Sequence, residues 1–273
     1  TSRNVYKRSR CAAMTEWGDS SEALLRVVRA MAASRRGADP AADTMLVRRR
    51  LAHVLEARGH AREAMQLHAT NANLAQLAMM GAAPFAMADS VLMHDLLANR
   101  TCVPCALSLW GVMADTLRLQ QLMHMADSVT QSPHPPPGVA AAPFVVALAT
   151  AYLTLARHDT TRALVEFASL PDSLCHACGF GWLTQAQLLS ARGRNAEAAA
   201  ILDETGVFND PLGTLVELER GRVAEKLGDK PRARDAYVFV SDIWQHGDPA
   251  FQIYVAEARE GLKRLHEKHH PRA

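Results

Sequence analysis

Two cysteine pairs have a spacing that could do chemistry: Cys102-Val103-Pro104-Cys105 and Cys175-His176-Ala177-Cys178. Four thiolates in two such pairs can complete a tetrahedral zinc site. One pair at a helix N-terminus can do redox chemistry, because the helix dipole favours the thiolate. However, 69 residues separate the pairs, far more than in a zinc ribbon. The expectation is four small, half-buried thiols in a reducing cytoplasm, with no shared metal. Cys11 stands alone. His266-Glu267-Lys268-His269-His270 matches the HExxH pattern, but only Pro271, Arg272 and Ala273 follow it. A metalloprotease needs that helix beside a cleft and a further ligand, so the cluster reads as a solvated tail. GxxxxGK[ST], GxGxxG and GxSxG do not occur. No catalytic residue, cofactor or metal site is expected, and the chain reads as a non-enzyme.

Charge and composition limit the partners. Thirty basic and 28 acidic residues give +2 over 273 residues, and 49% of the chain is apolar. A globular core is affordable, and a surface built wholly for nucleic acid is not expected. The basic charge is concentrated early: 13 basic and 6 acidic residues in the first 62 give +7, leaving −5 for the rest. Lys7, Arg8, Arg10, Arg35, Arg36 and the run Arg48-Arg49-Arg50 carry it. The three consecutive arginines fan around a helix rather than sharing one face, so they read as a solvated surface. Gly138 to Ala156 holds no charge over 19 residues. It is Ala-rich, with a proline near its start, and is read as a buried helix rather than a membrane span. No secretory leader is visible, which points to a cytoplasmic setting, and the initial Thr1 suggests a fragment or processed product.

Positioning elements are helical throughout. Punctuation predicts helices over 20–35, 41–57, 61–79, 85–98, 103–114, 117–129, 143–157, 160–170, 178–191, 195–205, 213–227, 231–245 and 250–267. Gln131 to Ala142, with four prolines and a glycine, reads as a stiff loop. A turn residue followed five positions later by alanine recurs: Gly59 and Ala64, His158 and Ala163, Gly193 and Ala198, Gly228 and Ala233. The last three are spaced by 35 residues. Four positions beyond those alanines stand Phe167, Leu202 and Tyr237. Five before the turn residues stand Leu153, Leu188 and Val223. A left-handed residue ends the first helix, a small residue lets the second cross it closely, and a bulky one fills the gap to the next hairpin.

At these residues the chain resembles the tetratricopeptide repeat. Its best unit runs from Leu218 to Trp244, with Gly221, Gly228, Ala233 and Tyr237 at the family's positions. Ala224 stands where the family carries an aromatic and Arg220 where it carries leucine. The match is good over 143–245, fair over 44–68 through Leu51, Leu55, Gly59 and Ala64, and weak over 69–130. The stretch from Leu215, with Trp244 and Asp248-Pro249, is similar to the tail repeats of large bacterial signalling proteins that carry a kinase, a cyclase or a winged DNA-binding domain.

The resulting expectation is an all-α, right-handed solenoid of stacked hairpins. Its parts are a flexible basic end (1–19), degenerate repeats (20–130), the Pro-rich loop (131–142), TPR-like repeats (143–247), a capping helix (248–268) and a tail (269–273). Asp248 should cap that last helix, and Phe251, Val255, Ala258, Leu262 and Leu265 should form its buried face. The implied function is recognition of a protein or peptide partner, with no membrane, and the sequence argues against nucleic acid binding by this segment. Two alternatives stay open: a metal- or redox-responsive sensor using the CxxC pairs, and a ligand-sensing arm of a DNA-binding regulator. Asn71, Asn73 and Gln185 are polar residues on candidate helices, read as solvated or capping.

Overall fold

The computed structural model describes residues 48–49, 52–67, 71–97, 103–130, 142–170, 179–204 and 210–267. Cys11, Cys102, Cys175, Cys178, the 20–35 helix and most of the Pro-rich segment lie outside them, as does the side chain of Cys105. Among the described residues there are thirteen helices and no strand. They are α1 (52–57), α2 (Ala61–Leu67), α3 (Asn71–Met79), α4 (Phe85–Leu97), α5 (Val103–Val112), α6 (Thr116–Thr130) and α7 (Ala142–Ala156). Then follow α8 (Thr160–Ala168), α9 (Gly179–Ala191), α10 (Asn195–Glu204), α11 (Pro211–Leu227), α12 (Lys230–Ile243) and α13 (Pro249–Glu267). The chain forms two compact units, one of Leu74–Thr205 and one of Thr1–Asn73 with Gly206–Ala273.

One turn chemistry recurs. At Gly59, Gly193 and Gly228 the backbone is left-handed, with φ of 80°, 76° and 76°, and His158 joins them at 63°. At each, the turn residue's N–H bonds the carbonyl three back and the next N–H bonds the carbonyl five back. At Gly228 these are Glu225 O at 3.2 Å and Ala224 O at 2.9 Å. This pairing satisfies the last carbonyls of the first helix. The alanines five positions on, Ala64, Ala163, Ala198 and Ala233, are all fully buried. Two further turns carry the same bonds. Ala114 (φ 54°) precedes the buried Leu119, and Gly81 (φ 72°) precedes the buried Ala88 by seven residues rather than five.

Within the Leu74–Thr205 unit, α7 packs on α5, α6 and α8, and α9 on α8 and α10. The uncharged run forms α7. It buries Phe144, Leu148, Ala151 and Tyr152 in this unit, and its 15 residues make it about 22 Å long. Among the described residues no helix is long and apolar enough to cross a membrane. Tyr152 sits edge-on to Phe167, with ring centroids 5.2 Å apart. A Cβ at Gly111 of α5 would lie 2.2 Å from the Tyr152 ring, so only glycine admits it there. Trp110 Nε1 donates to Asp89 Oδ1 at 2.9 Å, and Asp89 also pairs with Arg118 at 3.0 Å, which ties α4 to α5 and α6.

In the other unit, α11, α12 and α13 pack on one another. Tyr237 of α12 lies between two glycines. Cβ atoms at Gly221 and Gly261 would come within 2.7 Å and 2.4 Å of its ring. Its hydroxyl donates to Glu225 Oε2 at 3.0 Å. The buried face of α13 is Phe251, Val255, Ala258, Gly261 and Leu265. Gly261 takes the place expected of Leu262, because the tyrosine ring occupies the space a side chain would fill. Glu257 and Arg264 each make a two-bond pair back to α11, Glu257 with Arg222 at 2.6 Å and Arg264 with Glu225 at 2.8–2.9 Å. Asp248, expected to cap α13, instead caps α2, its Oδ2 accepting from Arg62 N at 2.9 Å.

Candidate functional site

The Leu74–Thr205 unit contains a cleft of about 680 Å³. One wall is a stripe of α6: Gln120, Met123, His124 and Asp127. The facing wall is a stripe of α7, Thr150, Leu153 and Thr154, continued by Arg157 in the turn that follows. Asp159 and Arg162, at the start of α8, complete the lining. Each stripe follows i, i+3, i+4, i+7, the spacing that sets side chains on one helical face. The cleft exists because α7 is two-sided. Its bulky apolar residues go to the core with Thr154, which is itself buried, while Thr150 is half-buried and Arg157, just past the helix end, is exposed.

The polar groups differ in how far they are already engaged. Thr150 Oγ1 donates to the Val146 carbonyl at 2.8 Å. The Asp159 carboxylate caps α8 by accepting from Arg162 N at 3.1 Å, and Arg162 Nε donates to Glu166 Oε1 at 2.8 Å. Arg157 and His124 are exposed on opposite walls. Met123 and Leu153 add apolar surface. Elsewhere in the unit, on the core side of α7, burial pushes the Tyr152 phenol up. The arrangement suits hydrogen bonding to a ligand with polar groups along its length.

No family model, curated protein or solved structure matches this chain.

The repeat residues singled out in the sequence are packing positions. Gly59, Gly193 and Gly228 make turns; Ala64, Ala163, Ala198 and Ala233 lie in the interior. Phe167 and Tyr237 are buried, and Gly221 seats the Tyr237 ring. Of the columns read from the repeat, only Leu153 reaches the cleft. Arg48 and Arg49 are helical and exposed. Among the described residues no group of three or more His, Cys, Asp or Glu side chains could hold a metal ion. The cleft itself was missed in the sequence. Its one signal was the pair Thr150 and Thr154 on one side of an otherwise apolar helix, with Arg157 directly after it. The facing stripe could not be matched to it without knowing that α6 packs on α7.

Proposed function

We propose that this chain is a non-catalytic interaction module, a right-handed solenoid of TPR-like hairpins that holds a peptide segment of a protein partner. The observation that carries the reading is the α6–α7 cleft, whose volume lies in the range of ligand sites. Gln120, His124, Thr150 and Thr154 offer hydrogen bonds to a peptide main chain, Met123 and Leu153 offer apolar contact, and Arg157 offers a charge for an acidic side chain. The recurring turn and its buried alanine support the repeat assignment. The resemblance over Leu218 to Trp244 supports a place in a larger cytoplasmic bacterial signalling or transcription-regulatory protein.

A peptide-display selection on the whole chain tests this. Selected peptides should lose at least tenfold in affinity to Arg157→Glu and to Thr154→Trp, and bind more weakly as salt is raised. Peptides that bind both variants as well as the parent chain, or a selection that enriches none, would refute the assignment of the cleft.

A further inference from the structure

The polar groups of the α6–α7 cleft divide by whether the fold already uses them. Asp159 accepts from the Arg162 amide at 3.1 Å, Arg162 Nε donates to Glu166 Oε1 at 2.8 Å, and Thr150 Oγ1 donates to the Val146 carbonyl at 2.8 Å. Asp127 is engaged as well. Three other groups carry no such duty. The Arg157 guanidinium and the His124 imidazole are exposed, and neither makes a hydrogen bond or ion pair among the described residues. Thr154 is only 7% exposed, yet its hydroxyl has no hydrogen-bond partner among the described residues either. A polar atom that the fold buries at a cleft and leaves unbonded costs stability unless an occupant of the cleft bonds it.

This set is rich in donors. Arg157 offers up to five N–H groups and accepts nothing, and Thr154 adds a hydroxyl, so a carboxylate answers both. On the opposite wall His124 is the variable. Histidine is the side chain whose charge changes between about pH 5 and 8, whereas carboxylates and guanidinium groups keep their charge over that range. The other charged groups lining the cleft are Asp127, three residues further along α6, and Asp159 and Arg162 at the start of α8. Arg118, also on α6, is paired with Asp89 of α4. The helices packed on α6, α5 and α7, hold no charged residue. When His124 is neutral, a carboxylate in the cleft meets the charge of Arg157. When it is protonated, the same carboxylate is attracted from both walls.

We propose that protonation of His124 tightens this cleft on an acidic side chain of its peptide partner, seated between His124 and Arg157 with Thr154 donating to it. The proposal rests on the reading of the cleft as a peptide site and adds that the site responds to pH. Binding and protonation are linked reciprocally: affinity rises as pH falls through the histidine range, and the bound peptide holds the proton on His124.

A displayed library of random dodecapeptides, captured on the full chain at about pH 5.5 and released at about pH 8, tests this. As synthetic peptides in fluorescence anisotropy, the released sequences should contain aspartate or glutamate and bind about fivefold more weakly at the higher pH. Replacing those acidic residues by their amides should abolish the pH dependence. His124 is exposed, so its substitution leaves the core intact. His124→Gln should bind with the weaker affinity at both pH values, and His124→Lys with the tighter one at both. A library that releases nothing at the higher pH, or a pH dependence that survives in His124→Gln, overturns the proposal. Peptides that stay bound at the higher pH but lose affinity to Arg157→Glu also overturn it, while leaving the peptide cleft standing. Peptides that bind Arg157→Glu and Thr154→Trp as well as the parent chain remove both readings.

Discussion

Ala114 and His158 hold left-handed backbone, where an L side chain costs about 1 kcal/mol and glycine costs nothing comparable. Ala114→Gly should therefore raise stability by about 0.5–1 kcal/mol in urea titration, the relief being partly offset by the added freedom of the unfolded chain. The same residue explains what the sequence concealed. With alanine at the turn and Leu119 five positions on, the α5–α6 hairpin carries neither residue type by which the repeat was recognised. Gly81 was hidden differently: two extra residues move its buried alanine to Ala88. Where glycine and alanine stand in register, as at Gly193 with Ala198, the turn was legible, because only a few residue types satisfy those two positions. A second residue-scale consequence concerns pH. Burial, with Glu225 beside it, holds the Tyr237 phenol well above its ordinary value, and burial raises Tyr152 and Tyr254 as well. The unfolded chain releases these protons near pH 10 while the folded chain keeps them, so stability should fall as pH rises above about 10. Tyr237→Phe keeps the ring between its glycines and should make that fall shallower by up to about 1.4 kcal/mol per pH unit, measured by urea titration between pH 9 and 12.

At the scale of elements, the helices are held by small residues at close approaches and by ion pairs between α11 and α13. Ala198 is fully buried at the start of α10, and Ala198→Leu should cost about 1–3 kcal/mol through overpacking. Unchanged unfolding in urea would mean that α10 does not cross its partner closely there. The α11–α13 clamp was not legible, although every residue in it was visible. Glu257 and Arg264 have the spacing of a solvated face, and only the packing of α13 on α11 brings them to Arg222 and Glu225. Gly261 was equally silent. A glycine within a helical pattern normally signals weakness, and its use here depends on a tyrosine 24 positions earlier in the sequence. Local rules thus found the elements and the turns, whereas contacts between elements distant in sequence decided the capping of α2 and the faces of α13.

At the scale of the whole molecule, the sequence divisions and the compact units follow different logic. Repeats read along the chain place residues 44–68 at one end and 248–268 at the other, yet the two stretches share a unit, joined by Trp244 and Asp248. Helices and an uncharged core run are written in local composition, but closure between distant segments is not. The cleft belongs to the other unit. The functional account stands on that cleft, and hydrogen-exchange mass spectrometry of the full chain, with and without a selected peptide, tests it most directly. The account predicts slowed exchange concentrated in 120–127 and 150–162, abolished by Arg157→Glu. Protection confined to other helices, or unchanged by that substitution, would contradict it.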